Sequence, residues 1–406
     1  MKRSKEKSLR IGINCISIDP DYLAGVNTYT FGLLDGFAKL DVRHSFVIFV
    51  TNDNKQLFQK YLKFYNFDCV ELSYNRKVYH KILNRLAIYA GLQWVYNLTF
   101  KILYSNLCKS IQRNSDIIYT PTTLNFPYHF NIPSILSMHD LQHEHYSQFF
   151  TKFELKRRKL AFKLSAITST SIQASSEYIK NDILDKYGNY LNRFDVNVIN
   201  EGVNIEKFSS SGSERIHDKY GITDNYLFYP ASFWPHKNHL LLFEAIKDLR
   251  ENYDLEIPVL LCGGGYGSLK NKILDFIEKE GLPIYYIGRV PETDLISLYK
   301  SAHYTISVSL HESSCLPILE SIAAGTPVIA SNLEPNVEMT KRLKINLFES
   351  NNVKDLSRLL RQIWHDEIER ENQININSEI INCYDWKNMG QQYITLFEEV
   401  SATKVI

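Results

Sequence analysis

Apolar and polar positions alternate along this chain in a repeating order: a short β-branched run, a loop rich in Gly, Ser or Pro, then a stretch of helical spacing. The apolar runs at 10–18, 44–50, 117–120, 135–138, 167–174 and 196–200 read as strands of a first half. Those at 226–232, 258–262, 284–287, 305–310, 326–330 and 347–349 read as strands of a second. Helical spacing follows over 29–40, from about 239, over 292–302, 317–324 and 356–368, and in a last helix reaching 400. Pro317 suits a first helical position and Gly325 a helix stop. Strands alternating with helices predict an α/β protein. The 406 residues are enough for two such domains. The most linker-like stretch is SSSGSE at 209–214.

Composition changes this picture little. An apolar fraction of 44% and a charged fraction of 22% are those of an ordinary soluble protein. A net charge of +1 excludes a global electrostatic attraction to nucleic acid. The six cysteines (15, 69, 108, 262, 315, 383) are scattered, which predicts reduced thiols rather than a disulfide frame or a zinc site. Lys2, Arg3, Lys5 and Lys7 precede an apolar run that Asn14 interrupts, a first strand rather than a secretory signal. No apolar stretch reaches the roughly 20 residues of a membrane helix. The expected location is the cytoplasm.

Charge is uneven locally. Between 76 and 113 stand Arg76, Lys77, Lys81, Arg85, Lys101, Lys109 and Arg113 without one acidic residue, interleaved with Ile82, Leu86, Tyr89, Trp94, Tyr96 and Phe100. Lys152, Lys156, Arg157, Arg158 and Lys159 form a second basic cluster. Two readings fit: helices packed on a sheet with solvated lysines outside, or a basic aromatic face resting on an anionic bilayer. A lipid-linked substrate favours the second.

Candidate chemistry concentrates at 305–331, a strand, loop, helix and strand. Glu312 lies in the loop and Glu320 early in the helix, while the backbone N–H groups of Ser314, Cys315 and Leu316 sit at the helix N-terminus, where the dipole favours an anion. A diphosphate held by amides, with carboxylates accepting sugar hydroxyls, uses every part of this arrangement. The plainer alternative has Glu320 complementing the helix dipole and Glu312 solvated. Lys237 precedes the helix from 239, where its ammonium meets a phosphate as a point charge. His139 and Asp140 stand at the end of a strand, and imidazole there hydrogen-bonds a hydroxyl or steadies a developing anion. His143 and His145 have zinc-compatible spacing to His139, but no further ligand accompanies them, so no metal is expected. Asp19-Pro20-Asp21 reads as turn chemistry. Gly25 opens the first strand-to-helix loop to close approach by a ligand. Gly263, Gly264, Gly265 and Gly267 fail the dinucleotide fingerprint, because its last glycine falls on Ser268 and Asp275 comes too early.

The segment around Glu312 resembles the signature of retaining glycosyltransferase family 4, written E-G-F-G-L-P-x-x-E and then A-x-A-x-G-x-P-V. Glu312, Leu316, Pro317, Glu320, Ala324, Gly325, Pro327 and Val328 match, while Ser313, Ser314 and Cys315 replace Gly, Phe and Gly. His139-Asp140-Leu141 is similar to the family's HDL segment, and Glu201-Gly202-Val203-Asn204 to its N-G-V-D turn. Gly288-Arg289-Val290 resembles the loop that clasps the nucleobase. Lys237 matches the family's lysine, Ser232 falls where its arginine stands, and His236 or backbone amides take that arginine's place. Trp234 to His239 (Trp-Pro-His-Lys-Asn-His) resembles a mannosyltransferase-like branch that builds bacterial surface polysaccharides.

The resemblance implies the GT-B fold: two doubly wound Rossmann-like domains facing across a cleft. Residues 1–205 would bind the acceptor and 206–383 the nucleotide sugar, with a helix in 384–406 returning to the first domain. It implies a metal-independent retaining hexosyltransferase without a cofactor, taking GDP-mannose first and UDP sugars next, and a saccharide or lipid-linked saccharide acceptor. Glu312, His139 and Lys237 would be catalytic. Glu320, Ser314, Cys315, Leu316, Arg289, Val290, Gly25 and His236 would bind the donor. Peripheral contact with the inner face of the membrane would follow from a lipid-linked acceptor. The rivals are a 2-epimerase of the same shape, a transferase-like assembly protein without activity, and a glycoside hydrolase using the paired carboxylates.

Overall fold

The computed structural model describes residues 8–20, 25–73, 85, 88, 92–191, 195–209, 216–222, 225–265 and 267–402. Outside these lie Asp21, the basic positions Arg76, Lys77 and Lys81 with Ile82, Leu86 and Tyr89, linker residues 210–214, and the N-terminal lysines. The chain forms two compact units: Met1–Glu201 with Trp386–Ile406, and Gly202–Asp385. The division falls at Glu201 and Trp386, and the last helix runs from Trp386 to Ser401.

The first unit holds seven parallel strands: β1 (Arg10–Asn14), β2 (Ser45–Val50), β3 (Phe67–Glu71), β4 (Ile117–Thr120), β5 (Ser134–Ser137), β6 (Ser171–Ala174) and β7 (Val196–Val198). Their order is β3-β2-β1-β4-β5-β6-β7. β2, β4, β5 and β6 are buried almost throughout, as apolar runs covered on both faces must be. Helix α1 (Gly25–Ala38) leaves β1, so it starts before the expected 29. The apolar pattern does not show β3; it is an edge strand in which only Phe67 is buried. The strand expected from 167 begins at Ser171, because Ile167 is the last residue of a helix, Lys152–Ile167. That helix is nucleated by a capping box: Thr151 accepts from the Glu154 N–H, and the Glu154 carboxylate accepts from the Thr151 N–H. It carries the second basic cluster outward and packs Leu160 and Leu164 against Tyr96 of the helix Gln93–Leu103.

The second unit repeats the plan with β8 (Leu227–Pro230), β9 (Val259–Cys262), β10 (Ile284–Tyr286), β11 (Tyr304–Ser307), β12 (Val328–Ser331) and β13 (Asn346–Phe348), all parallel in the order β10-β9-β8-β11-β12-β13. Alternation along the strands builds two cores. Leu227, Tyr229, Val259, Leu261 and Ile329 face one side, under helices α2 (His239–Tyr253) and α4 (Val353–Ile363). Phe228, Leu260, Val328 and Ala330 face the other, under helix α3 (Leu316–Ala323). The helix expected over 356–368 ends at Ile363. Asp366 then starts a new helix, Glu367–Ile380, by accepting from the Glu369 N–H at 2.9 Å.

The last helix, α5 (Trp386–Ser401), belongs to the first unit and lies on α1. Gly32 and Gly36 of α1 make the approach: a Cβ on either would collide with Trp386. The Tyr29, Tyr119 and Tyr393 hydroxyls meet beneath, with Tyr29 also reaching Ser137 at 3.0 Å and Gln173 at 3.2 Å. Among the described residues no helix is long and apolar enough to cross a membrane.

Candidate active site

In the second sheet the winding reverses between β8 and β11, and an open α/β sheet binds ligands outside the carboxyl ends of such a pair. The loop leaving β8 tightens into a single turn at Pro235–Lys237 and enters α2 through Asn238, whose φ of 51° is left-handed. Tyr229 holds this turn by donating its hydroxyl to the Lys237 carbonyl at 2.5 Å. The segment leaving β11 meets the same turn, the Leu310 N–H donating to the His236 carbonyl at 2.7 Å. Two loops far apart in sequence are therefore stitched together before any ligand arrives.

The stitching aims two charges at one another. Lys237 Nζ donates to Glu312 Oε1 at 2.5 Å, with side chains only 20% and 10% exposed. Burial alone would push the Glu312 carboxyl up. The Lys237 ammonium and then His236 outweigh it and hold the group below the ordinary carboxylate range. Glu320 lies one helix away, where Oε2 accepts from the buried Tyr299 hydroxyl at 2.8 Å. Glu312 is thus no solvated loop residue, and Glu320 does more than complement a dipole.

Ser314, Cys315 and Leu316 lead into α3. Cys315 is its N-cap, yet its side chain makes no capping bond and sits in the core with the sulfur 3.7 Å from the Ser307 hydroxyl. Burial, reinforced by the Glu312 charge, pushes this thiol up to about 12. Only the backbone of Cys315 is left for a ligand. On the other side of β8, Gly263 has a φ of 149°, and a Cβ there would stand 2.6 Å from the Ala231 carbonyl. A Cβ on Gly264 would meet the exposed Arg289 side chain at 2.8 Å. Ser232 accepts from the Gly264 N–H at 3.3 Å, tying this glycine turn to β8. The Val290 side chain packs into the core.

Two expected site residues lie in the first unit. Gly25 opens α1, and a Cβ there would meet nothing within 4 Å. His139 follows β5 and is buried. Its Nε2 donates to the Pro121 carbonyl at 2.8 Å, and its Nδ1 faces Glu201 Oε1 at 3.7 Å. Burial pushes this imidazole down, but the nearby Glu201 carboxylate leaves it above its ordinary value. His143 is buried against Phe162; neither ring nitrogen is hydrogen-bonded, and Glu144 stands 3.5 Å from Nε2. His145 bonds Asp182 at 2.8 Å. The three histidines answer to three different neighbours. Among the described residues no cluster of three His, Cys, Asp or Glu side chains could hold a metal ion.

The folded chain adds Glu201 and Tyr299 to the candidate residues. Tyr299 leaves no signal in the sequence, being one apolar position of a helix. Glu201 does, since it stands where the N-G-V-D turn has asparagine.

Residues 212–379 match the family described as Glycosyl transferases group 1. Phosphatidyl-myo-inositol mannosyltransferase of Mycobacterium leprae is 24% identical over 208 residues, 50% of this chain and 54% of that protein. O-antigen chain mannosyltransferase B of Escherichia coli is 27% identical over 176 residues, 43% and 45% of the two. The chain spans about half the length of these curated relatives. The Anabaena protein HepE, solved with UDP-glucose, superposes with a TM-score of 0.71 at 14% identity, covering 97% of this chain and 100% of its own.

Proposed function

The second unit of this chain is a group 1 glycosyltransferase domain and the whole has the GT-B fold; on that premise we propose that the protein transfers a hexose from a nucleotide sugar to a saccharide or lipid-linked saccharide. The observation that carries this reading is the Lys237–Glu312 pair at the carboxyl ends of β8 and β11, beside the N-terminus of α3. A buried ion pair is a weak source of stability, so its retention where ligands bind is better explained by chemistry.

In this reading the donor diphosphate lies over the amides of Ser314, Cys315 and Leu316. Lys237 swings part of its charge from Glu312 to the phosphate oxygens as the glycosidic bond breaks. Glu312 then accepts donor-sugar hydroxyls, Glu320 the ribose hydroxyls, and Arg289 with the backbone at Val290 flanks the base. The family resemblance would make His139, which faces Glu201, a catalytic residue. No protein nucleophile is assigned. The acceptor attacks the face that the leaving group vacates, so the anomeric configuration is retained, without metal or cofactor. GDP-mannose is the leading donor, because two relatives named as mannosyltransferases match this chain, and UDP-glucose follows. A cytoplasmic protein working on a lipid-linked acceptor would meet the inner face of the membrane.

The test is a thermal-shift panel of GDP, UDP, GDP-mannose and UDP-glucose, followed by incubation of the winning donor with and without acceptors. A nucleotide at 100 times its dissociation constant adds about 2.7 kcal/mol of stability. A shift with one nucleotide class and acceptor-dependent transfer support the reading. Conversion of the donor to its 2-epimer without acceptor points to the epimerase, and no shift at all to an assembly protein.

A further inference from the structure

The first unit has a concave site remote from the carboxyl ends of its strands. A cavity of about 550 Å³ opens beside the residues that lead into the amino ends of β5 and β6. Lys101, Lys109, Gln112, His129, Ser169 and Thr170 are among its polar lining, and no carboxylate among the described residues lines it. Neither lysine has a carboxylate partner among the described residues, in contrast to Lys159 and Lys186, which both reach Glu144. His129 is held with a left-handed φ of 70°, its Nε2 2.7 Å from Asn97 Oδ1. Burial, then the Lys101 charge, lowers its imidazole from the ordinary value. The cavity is a cationic, donor-rich hollow with no carboxylate among the described residues to neutralise it.

Its rim is apolar. Ile167, which lines the cavity, is 40% exposed. Lys101 shares the helix Gln93–Leu103 with Trp94, Leu98 and Ile102, which repeat every fourth residue and are 67%, 50% and 64% exposed. The opposite face of that helix is already used: Tyr96 and Phe100 pack inward. Large apolar side chains stacked along the open face of a helix, beside unpaired cations, fit an interface between water and lipid.

We propose that this cavity binds the phosphate headgroup of an anionic phospholipid while Trp94, Leu98 and Ile102 enter the acyl boundary, so that the first unit docks on a bilayer by the amino edge of its sheet. The whole segment from 76 to 113 lacks acidic residues, which matches a negative surface. A soluble phosphate would account for the lysines and leave the apolar stripe unexplained. The inference deepens the membrane contact proposed above and rests on that reading, not on the transfer chemistry.

The test is co-sedimentation of the full chain with vesicles of phosphatidylcholine containing phosphatidylglycerol, against pure phosphatidylcholine vesicles. The wild type should bind the anionic vesicles and lose binding as salt rises. Lys101→Gln with Lys109→Gln should weaken binding about thirtyfold, each charge counting for about fivefold at an anionic surface. Trp94→Ser, Leu98→Ser and Ile102→Ser together should weaken it at least about tenfold. A control pair of the same charge change, Lys63→Gln with Lys272→Gln, should bind as the wild type does. Equal loss in the control pair, or equal binding to both vesicles, overturns the cavity as an anion site. Stabilisation by glycerol phosphate without vesicle binding overturns the lipid as its source. A dimer that the serine variants dissociate overturns the stripe as a lipid face. Nucleotide-induced thermal shifts, unchanged in every variant, would show that donor binding stands or falls separately.

Discussion

The two sheets share one winding, β3-β2-β1-β4-β5-β6 in the first unit and β10-β9-β8-β11-β12-β13 in the second, with β7 added to the first. What they place at the heart of that winding differs. The second unit sets an ion pair, Lys237 with Glu312, at the reversal of its strand order. The first fills the corresponding region with neutral hydroxyls: Tyr119 on β4 reaches Ser137 on β5 at 2.6 Å, and Tyr29 joins both to Gln173 on β6. Neutral groups that satisfy one another can be buried at little cost and specify how α1 and α5 dock. Buried charges are held at a penalty, and are worth keeping where a ligand needs them. One architecture thus holds a neutral structural brace in one half and a charged candidate site in the other.

The sharpest way to break this contrast is Lys237→Met. It strands a largely buried carboxylate, so we expect a loss of about 3–5 kcal/mol in melting experiments and a fall in turnover of at least about a hundredfold. Unchanged kinetics would make the pair structural, like the tyrosines. On the first unit, Gly36→Val should cost about 3 kcal/mol without altering nucleotide affinity, because the new side chain drives α5 off α1. Calorimetry with and without nucleotide separates the two.

A third prediction concerns protons. The buried His143 imidazole is pushed down to about 4 from 6.5, first by burial, so the unfolded chain takes up a proton that the native state refuses. Stability present above pH 6.5 should therefore be lost as the pH falls from 6.5 towards 4, by roughly 3 kcal/mol at most. His143→Leu should flatten the acid limb of a melting-temperature profile. His139, raised above its ordinary value, contributes with the opposite sign: its stability is complete below the unfolded imidazole value and fades as the pH climbs through the folded one. The smallest effect is expected from Tyr299→Phe. It removes the donor to Glu320 and should cost about 1.5–2 kcal/mol and weaken nucleotide binding a few-fold by titration calorimetry.

Most strands of both sheets can be read from the apolar runs, because parallel strands buried on both faces leave little polar interruption. β3 escapes for the opposite reason: as an edge strand it buries only Phe67 and carries Asp68 and Glu71 outward. Ile167 misleads because it continues in sequence into a β-branched stretch, whereas the Thr151–Glu154 capping box fixes a helix that reaches it. In the candidate site, Glu312, Glu320 and Lys237 are legible from residue type and spacing. Their contacts are not: the Lys237–Glu312 pair, the Tyr299 hydroxyl on Glu320 and the Leu310 N–H on the His236 carbonyl join segments that only the folded sheet brings together. The sequence position of Cys315 suggests a ligand contact, but nothing in a sequence says that its side chain turns into the core.

The glycine seam between α1 and α5 also orders events in time. During translation the first unit waits with Gly32 and Gly36 bare while the ribosome makes the whole of Gly202–Asp385, and only then does the chain deliver Trp386. The later unit is complete in sequence before the earlier one. A nascent chain halted at Asp385 would carry the complete sequence of the second unit joined to a first unit that still lacks its last helix.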